Sequence, residues 1–127
     1  MLELVRDVRV FDGLPKRALR QIVSLADEID LPAERQLAQE GERGRELLVM
    51  LAGAADVRQN GHLVNLLRNG DVVGEIALVA ERPHTATVTT TSPARALVLD
   101  GRDFRILRSR WPQLRASVDA LIRSYSS

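Results

Sequence analysis

The chain contains no cysteine in its 127 residues. A disulfide framework and thiolate metal sites are therefore excluded, and a reducing cytoplasm is the expected setting. Two histidines leave little for transition-metal binding, so no metal and no cofactor are expected. Aromatic residues make up only 3%, which leaves few platforms for stacking the bases of single-stranded nucleic acid. No apolar run approaches the ~20 residues that span a bilayer. The first residues, Met1-Leu2-Glu3-Leu4-Val5-Arg6-Asp7, alternate charge with apolar side chains and lack the uninterrupted core of a signal peptide. Charge of one sign is also missing. The 18 basic residues, of which Lys16 is the only lysine, face 17 acidic ones, and a net +1 steers the chain toward neither nucleic acid nor an anionic membrane. No triad, metal set or cofactor motif supports catalysis, so the chain does not read as an enzyme.

What is present is an ordinary globular balance, 45% hydrophobic and 28% charged, enough for one domain with one core of usual size. Met1 to Val10 reads as a short helical lead-in. Leu19, Ile22, Val23 and Leu25 then keep a helical stripe over roughly 15–26, with Pro15 in its first turn. From about residue 28 the pattern changes to short strands divided by turns. Leu47 to Leu51 is a continuous apolar run between Gly44 and Gly53, which fits a buried strand. Gln59-Asn60-Gly61-His62 is a strong hairpin signal. Val72 to Leu78 reads as strand, turn and one helical turn, and strands return over Ala86 to Thr91 and Ala94 to Leu99. Asp100 is a candidate N-cap for a helix carrying Phe104, Ile106 and Leu107, which Trp111-Pro112 interrupts. A last helix places Leu114, Val118, Leu121 and Ile122 at helical spacing. The expected organisation is one domain over 1–127. N-terminal helices occupy 1–27, about eight strands of a sandwich or barrel occupy 28–100, and C-terminal helices occupy 101–127.

The stretch richest in chemistry is Gly74-Glu75-Ile76-Ala77-Leu78-Val79-Ala80-Glu81-Arg82-Pro83-His84-Thr85-Ala86-Thr87-Val88. A glycine before a short helical turn offers free N–H groups and close backbone approach to an anion. A glutamate beside an anion makes sense if it accepts hydrogen bonds from other groups, such as ribose hydroxyls. The alternative is a β-bulge glycine followed by a solvated glutamate.

This stretch resembles the phosphate-binding cassette of cyclic-nucleotide-binding domains, as found in bacterial catabolite activator proteins and the regulatory subunits of cyclic-AMP-dependent protein kinase. Glu40-Gly41, Leu47 to Gly53, Asn60-Gly61, Gly70-Asp71-Val72-Val73-Gly74-Glu75, then Pro83, Ala86, Val88 and Leu99 to Phe104 fall in the family's order, over roughly residues 10–123. The resemblance implies an eight-stranded antiparallel β-roll, jelly-roll-like, flanked by helices. It implies that Gly74 and the backbone amides at Ile76 and Ala77 face a cyclic phosphate. Thr85 and Ala86 would flank that phosphate, and Glu75 would accept from the ribose 2′-hydroxyl. The purine would lie near Val64 and Asn65, capped by the C-terminal helix.

One departure bears on affinity. The cassette normally carries arginine after its proline, and this chain has His84. Arginine gives a fixed charge and a bidentate fork. Losing a charged hydrogen bond of ~1.5–3 kcal/mol weakens binding roughly 10- to 150-fold. Histidine, ordinarily near 6.5, would couple binding to protonation, giving tighter binding at pH 6 than at pH 8. Arg82 stands two residues away, although Pro83 constrains its approach. Glu34 replaces the family's usual glycine after Pro32, and Arg45-Glu46 replaces an Asp-rich lead into the next strand; both are expected to alter a turn rather than the site.

Other groups read more simply. Asp71 and Glu75 lie in a turn without acid/base context. His62 sits by a hairpin turn, and the late arginines from Arg102 to Arg123 read as a solvated face. The relatives' helix-turn-helix has no counterpart before residue 127, so direct DNA binding is not expected. Two functions stay open. One is a regulatory sensor of a cyclic mononucleotide, cAMP first, acting on an effector protein or domain outside this chain. The other is a degenerate domain that binds no nucleotide and serves protein interaction or regulation of a larger protein. In either case, Leu114, Val118, Leu121 and Ile122 would cap their own roll or pack on a second copy in a homodimer.

Overall fold

Alternate residues of two central strands feed two different cores, and this explains why they read as unbroken apolar runs. In β3 (Glu46–Ala52), Leu47, Val49 and Leu51 join one buried cluster, while Leu48 and Met50 join another. In β8 (Ala94–Asp100), Leu97 and Leu99 face the first cluster, and Ala94 and Ala96 the second. The two strands pair antiparallel with Leu47 opposite Leu99 and Val49 opposite Leu97, so like faces meet. The computed structural model describes Val5 and residues 8–126, without the side chains of Ile76 and of residues 124–126.

β3 and β8 are the middle of a four-stranded sheet ordered β1-β8-β3-β6, with β1 at Asp27–Leu31 and β6 at Val72–Val73. The second sheet runs β2-β7-β4-β5, formed by Gln36–Ala38, Thr87–Thr90, Ala55–Gln59 and His62–Leu67. Every pairing is antiparallel. Eight strands in this order make a jelly-roll-like β-roll, as expected. The second core lies between the sheets; the first lies between the β1-β8-β3-β6 sheet and the helices.

The turns follow their residue chemistry. Asn60 and Gly61 have φ of 52° and 80°, the paired left-handed conformation of a type I′ hairpin. Glu34 has φ of 63°, which accounts for glycine being the family's usual residue there. That turn is held by buried Thr90, whose Oγ1 donates to the Pro32 carbonyl (2.7 Å) and accepts from the Arg35 N–H (2.8 Å).

The expected lead-in over Met1–Val10 falls mostly outside the described residues; its described end is a 3₁₀ turn, Arg9–Phe11. Helix α1 spans Lys16–Leu25. Pro15 stands one place before it, as N-cap rather than in the first turn, and its carbonyl accepts from Ala18 and Leu19. Helix α2 is the short turn Glu75–Val79. Helix α3 (Gly101–Arg110) is capped by Asp100, whose carboxylate accepts from the Arg102 N–H at 2.8 Å. Helix α4 (Pro112–Ser126) starts after Trp111, whose Nε1 donates to Gln21 Oε1 on α1 at 2.9 Å. The apolar face of α4 is turned inward. Leu114 and Val118 are fully buried with Phe104 and Leu107, and Leu121 and Ile122 pack on the same cluster. The helix thus covers its own roll.

Candidate functional site

The cassette is held from behind by β3. The Gly70 N–H donates to the Met50 carbonyl (2.7 Å), and the Met50 N–H to the Asp71 carbonyl (2.8 Å). Asp71 accepts from the Arg68 N–H at 2.8 Å and pairs with Arg9 at 3.1 Å. Its carboxylate therefore fixes the turn and is no acid/base partner for Glu75. Gly74 follows at φ 98°, and a Cβ there would fall 2.6 Å from the Glu46 carbonyl oxygen. Only glycine permits both that conformation and that approach.

α2 then runs beneath the opening, with Ala77 and Leu78 buried. Glu81, at φ 52°, turns the chain, and the Arg82 N–H donates to the Ala77 carbonyl at 3.1 Å. The strand that returns is clamped to the loop 41–44. The Gly41 N–H donates to the His84 carbonyl (2.9 Å), and the His84 N–H to the Glu42 carbonyl (2.8 Å). Gly44 is held as closely as Gly74: a Cβ built on it would sit 2.6 Å from Ala77 Cβ and 3.1 Å from His84 Cε1.

These segments enclose a cavity of about 410 Å³, a volume inside the range of ~300–1,000 Å³ usual for small-molecule sites. Gly74, Glu75, Ala77, His84, Thr85 and Ala86 line it, and so do Val64 and Asn65 from β5. Ile76 is the second residue of α2, but its side chain lies outside the described set. Sequence reasoning missed the opposite wall. Val57 and Gln59 of β4 and Val88 of β7 also line the cavity, and Gln59 Nε2 donates to the Thr85 carbonyl at 3.1 Å. The two-residue period of β4 is the signal that points them the same way. Arg82 lines the cavity too.

Among the described residues, none that lines the cavity comes from α4. Instead Ser117, Ala120 and Leu121 flank a neighbouring groove of about 510 Å³, which shares Asn65, Leu67 and Val72 with the cavity.

The two titratable groups of the site are both pushed toward their neutral forms. Glu75 is only 4% exposed, and burial raises its carboxyl from 4.5 to about 7, partly offset by a hydrogen bond from its own backbone N–H. Burial lowers His84 below its ordinary 6.5, with the nearby Glu42 charge opposing. Burial therefore favours the uncharged imidazole, which keeps one ring N–H but offers an anion no positive charge. Among the described residues no cluster of acids and histidines could hold a metal ion. No helix among them is long and apolar enough to cross a membrane.

The profile of the cyclic nucleotide-binding domain family matches residues 28–110. The chain belongs to that family. Its fold and family are those of regulatory rather than catalytic domains. The chain is 32% identical over 112 residues to the cGMP-dependent protein kinase egl-4 of Caenorhabditis elegans, covering 85% of this chain but 14% of the kinase. It is 31% identical over 116 residues to a cyclic nucleotide-gated potassium channel of Rhizobium etli, covering 91% of this chain and 32% of the channel. This cyclic nucleotide-binding domain thus spans a minor part of the relatives it matches. In fold it resembles the regulatory subunit of a cAMP-independent protein kinase A from Trypanosoma brucei, a mutant bound to cAMP. That match has a TM-score of 0.87 at 21% identity, over 99% of this chain and 46% of that one. The Thermus thermophilus catabolite activator protein superposes with a TM-score of 0.84 at 21% identity, over 92% of this chain and 57% of that one.

Proposed function

We propose that this domain is a ligand-sensing module that takes a cyclic mononucleotide, cAMP first, with affinity that is weakened and pH-dependent because histidine stands at position 84. The observation that carries this reading is the cavity of about 410 Å³ in which Gly74, Glu75, Ala77, His84, Thr85 and Ala86 converge with Val64 and Asn65. The backbone amides of Ile76 and Ala77 receive the cyclic phosphate. Glu75, once ionised, accepts from the ribose 2′-hydroxyl. The purine rests by Val64 and Asn65, and α4 moves over it from the adjoining groove, shifting a two-state equilibrium. The change passes to an effector protein or domain.

The proton bookkeeping follows from the free site. His84 starts neutral and gains a proton to pair with phosphate, which strengthens binding as pH falls. Glu75 loses a proton to accept from ribose, which opposes that trend as pH drops below about 7. The charged groups lining the spaces beside His84 are Glu42, Arg43, Arg45 and Glu46 on one side, and Glu75 and Arg82 on the other.

A second reading, a degenerate domain acting through protein interaction, draws on β5. That edge strand exposes Leu63, Val64 and Leu66, each more than half accessible. Calorimetric titration with cAMP at pH 6 and pH 8 separates the two. His84→Arg restores the fixed fork and should tighten binding at pH 8 by roughly 10- to 150-fold, with a smaller gain at pH 6. If neither the native chain nor His84→Arg binds cAMP or cGMP at millimolar concentration, the sensor reading fails and the second stands.

A further inference from the structure

A permanent cation on the cavity wall would strengthen the hold on an anion at neutral pH, and position 84, pushed toward its neutral form by burial, does not supply one. We infer that Arg82 takes that part: its guanidinium is the fixed positive charge against which the ligand's cyclic phosphate binds. The inference rests on the reading of the cavity as a cyclic-nucleotide site.

Three observations support it. Arg82 is the one lysine or arginine among the residues that line the cavity, beside Glu75, Ala77, His84 and Thr85. Its side chain is exposed, and among the described residues no carboxylate lies within ion-pair distance of it. The charge is therefore free to be given to a ligand without breaking an existing pair. The backbone beneath it is also anchored. Left-handed Glu81 reverses the chain, the Arg82 N–H is tied to Ala77, and Pro83 bridges to Arg43. Pro83 does not carry Arg82 away from the site; the turn before it leaves Arg82 on the cavity wall.

The other nearby arginines fit the part less well. Arg43 and Arg45 flank His84 from a separate groove, where Glu42 and Glu46 balance them. Burial keeps His84 neutral above its ordinary range, whereas a guanidinium stays charged at any relevant pH. Arg82 therefore provides a contribution that does not vary between pH 6 and pH 8. It leaves His84 as a pH-dependent addition to it.

The test is calorimetric titration of cAMP at pH 8 into the native chain, Arg82→Ala, Arg82→Lys and His84→Ala, with thermal unfolding of each as a check on folding. Arg82→Ala should bind roughly 10- to 150-fold more weakly with an unchanged melting temperature, and Arg82→Lys should recover part of the loss. His84→Ala should lose less affinity at pH 8 than Arg82→Ala does, and the native chain should lose affinity with salt more steeply than Arg82→Ala. Native affinity in Arg82→Ala would overturn the assignment while leaving the nucleotide site intact. A loss that Arg82→Lys does not recover at all would overturn it as well, since a charge role predicts recovery. No binding by the native chain would overturn the underlying site reading instead.

Discussion

Glu75 offers a test of the site that needs no ligand. Its side chain is 4% exposed, and burial lifts its carboxyl from 4.5 to about 7. The folded state therefore holds this proton more tightly than the unfolded chain does. The corresponding stability is fully present below about pH 4.5 and is lost as pH rises through about 7. At ~1.4 kcal/mol per pH unit, the interval between those values amounts to ~3 kcal/mol, a large share of the ~5–15 kcal/mol typical of a domain. Glu75→Gln keeps the size and polarity of the neutral acid but cannot ionise. Urea unfolding, followed through Trp111, the single tryptophan, would be measured at pH 5, 6, 7 and 8.

The informative quantity is the difference between the native chain and Glu75→Gln, because the remaining groups cancel in it. At pH 5 the two should differ by less than ~1 kcal/mol. By pH 8 the variant should be more stable by up to ~3 kcal/mol, a midpoint shift of ~1–3 M urea. Parallel profiles at all four pH values would refute the claim that this carboxyl is buried and uncompensated in the free protein. Saturating cAMP extends the test. Ribose hydroxyls donating to the carboxylate would favour its ionised form, so ligand should shrink the pH dependence of the difference between the native chain and Glu75→Gln, in which the His84 contribution cancels.

Two further substitutions probe the frame around the site. Gly44→Ala places a methyl 2.6 Å from Ala77 Cβ and 3.1 Å from His84 Cε1, so α2 or the loop must shift. A stability loss of ~1–3 kcal/mol is expected by thermal unfolding, together with a clear drop in cAMP affinity by titration. Unchanged values of both would mean that loop 41–44 does not press on the cassette. Glu34→Gly relieves a left-handed residue that costs ~1–2 kcal/mol, against a glycine entropy cost of ~0.5–1 kcal/mol. The net gain of ~0.5–1 kcal/mol should raise the melting temperature by a few degrees without altering affinity, and a lower melting temperature would contradict it.

The parts legible in the sequence are those in which neighbours along the chain are also the cause. Asn60-Gly61 needs no distant partner to turn, Asp100 caps a helix that starts one residue later, and Leu47 to Leu51 reports burial on both faces of one strand. The cassette was legible for the same reason: Gly74 to Val88 carries its glycine, its acid and its proline in one run. Pro15 stands one residue outside the expected first turn, because composition marks a helix end only to within a residue or two. The features that escaped are properties of contact between segments far apart. Gln59 reaches Thr85 across 26 residues of chain, and Gly44 bears on Ala77 and His84 from a loop that nothing in its own composition marks as special. The charge state of the site belongs to this second class. Glutamate and histidine look like a fixed anion and a half-charged switch when read as letters. In the fold, burial drives both toward neutrality, which leaves Arg82 as the permanent charge on the cavity wall. On the proposed reading, the fixed part of the affinity for an anion comes from Arg82, whose charge burial cannot remove, and His84 adds the part that varies with pH.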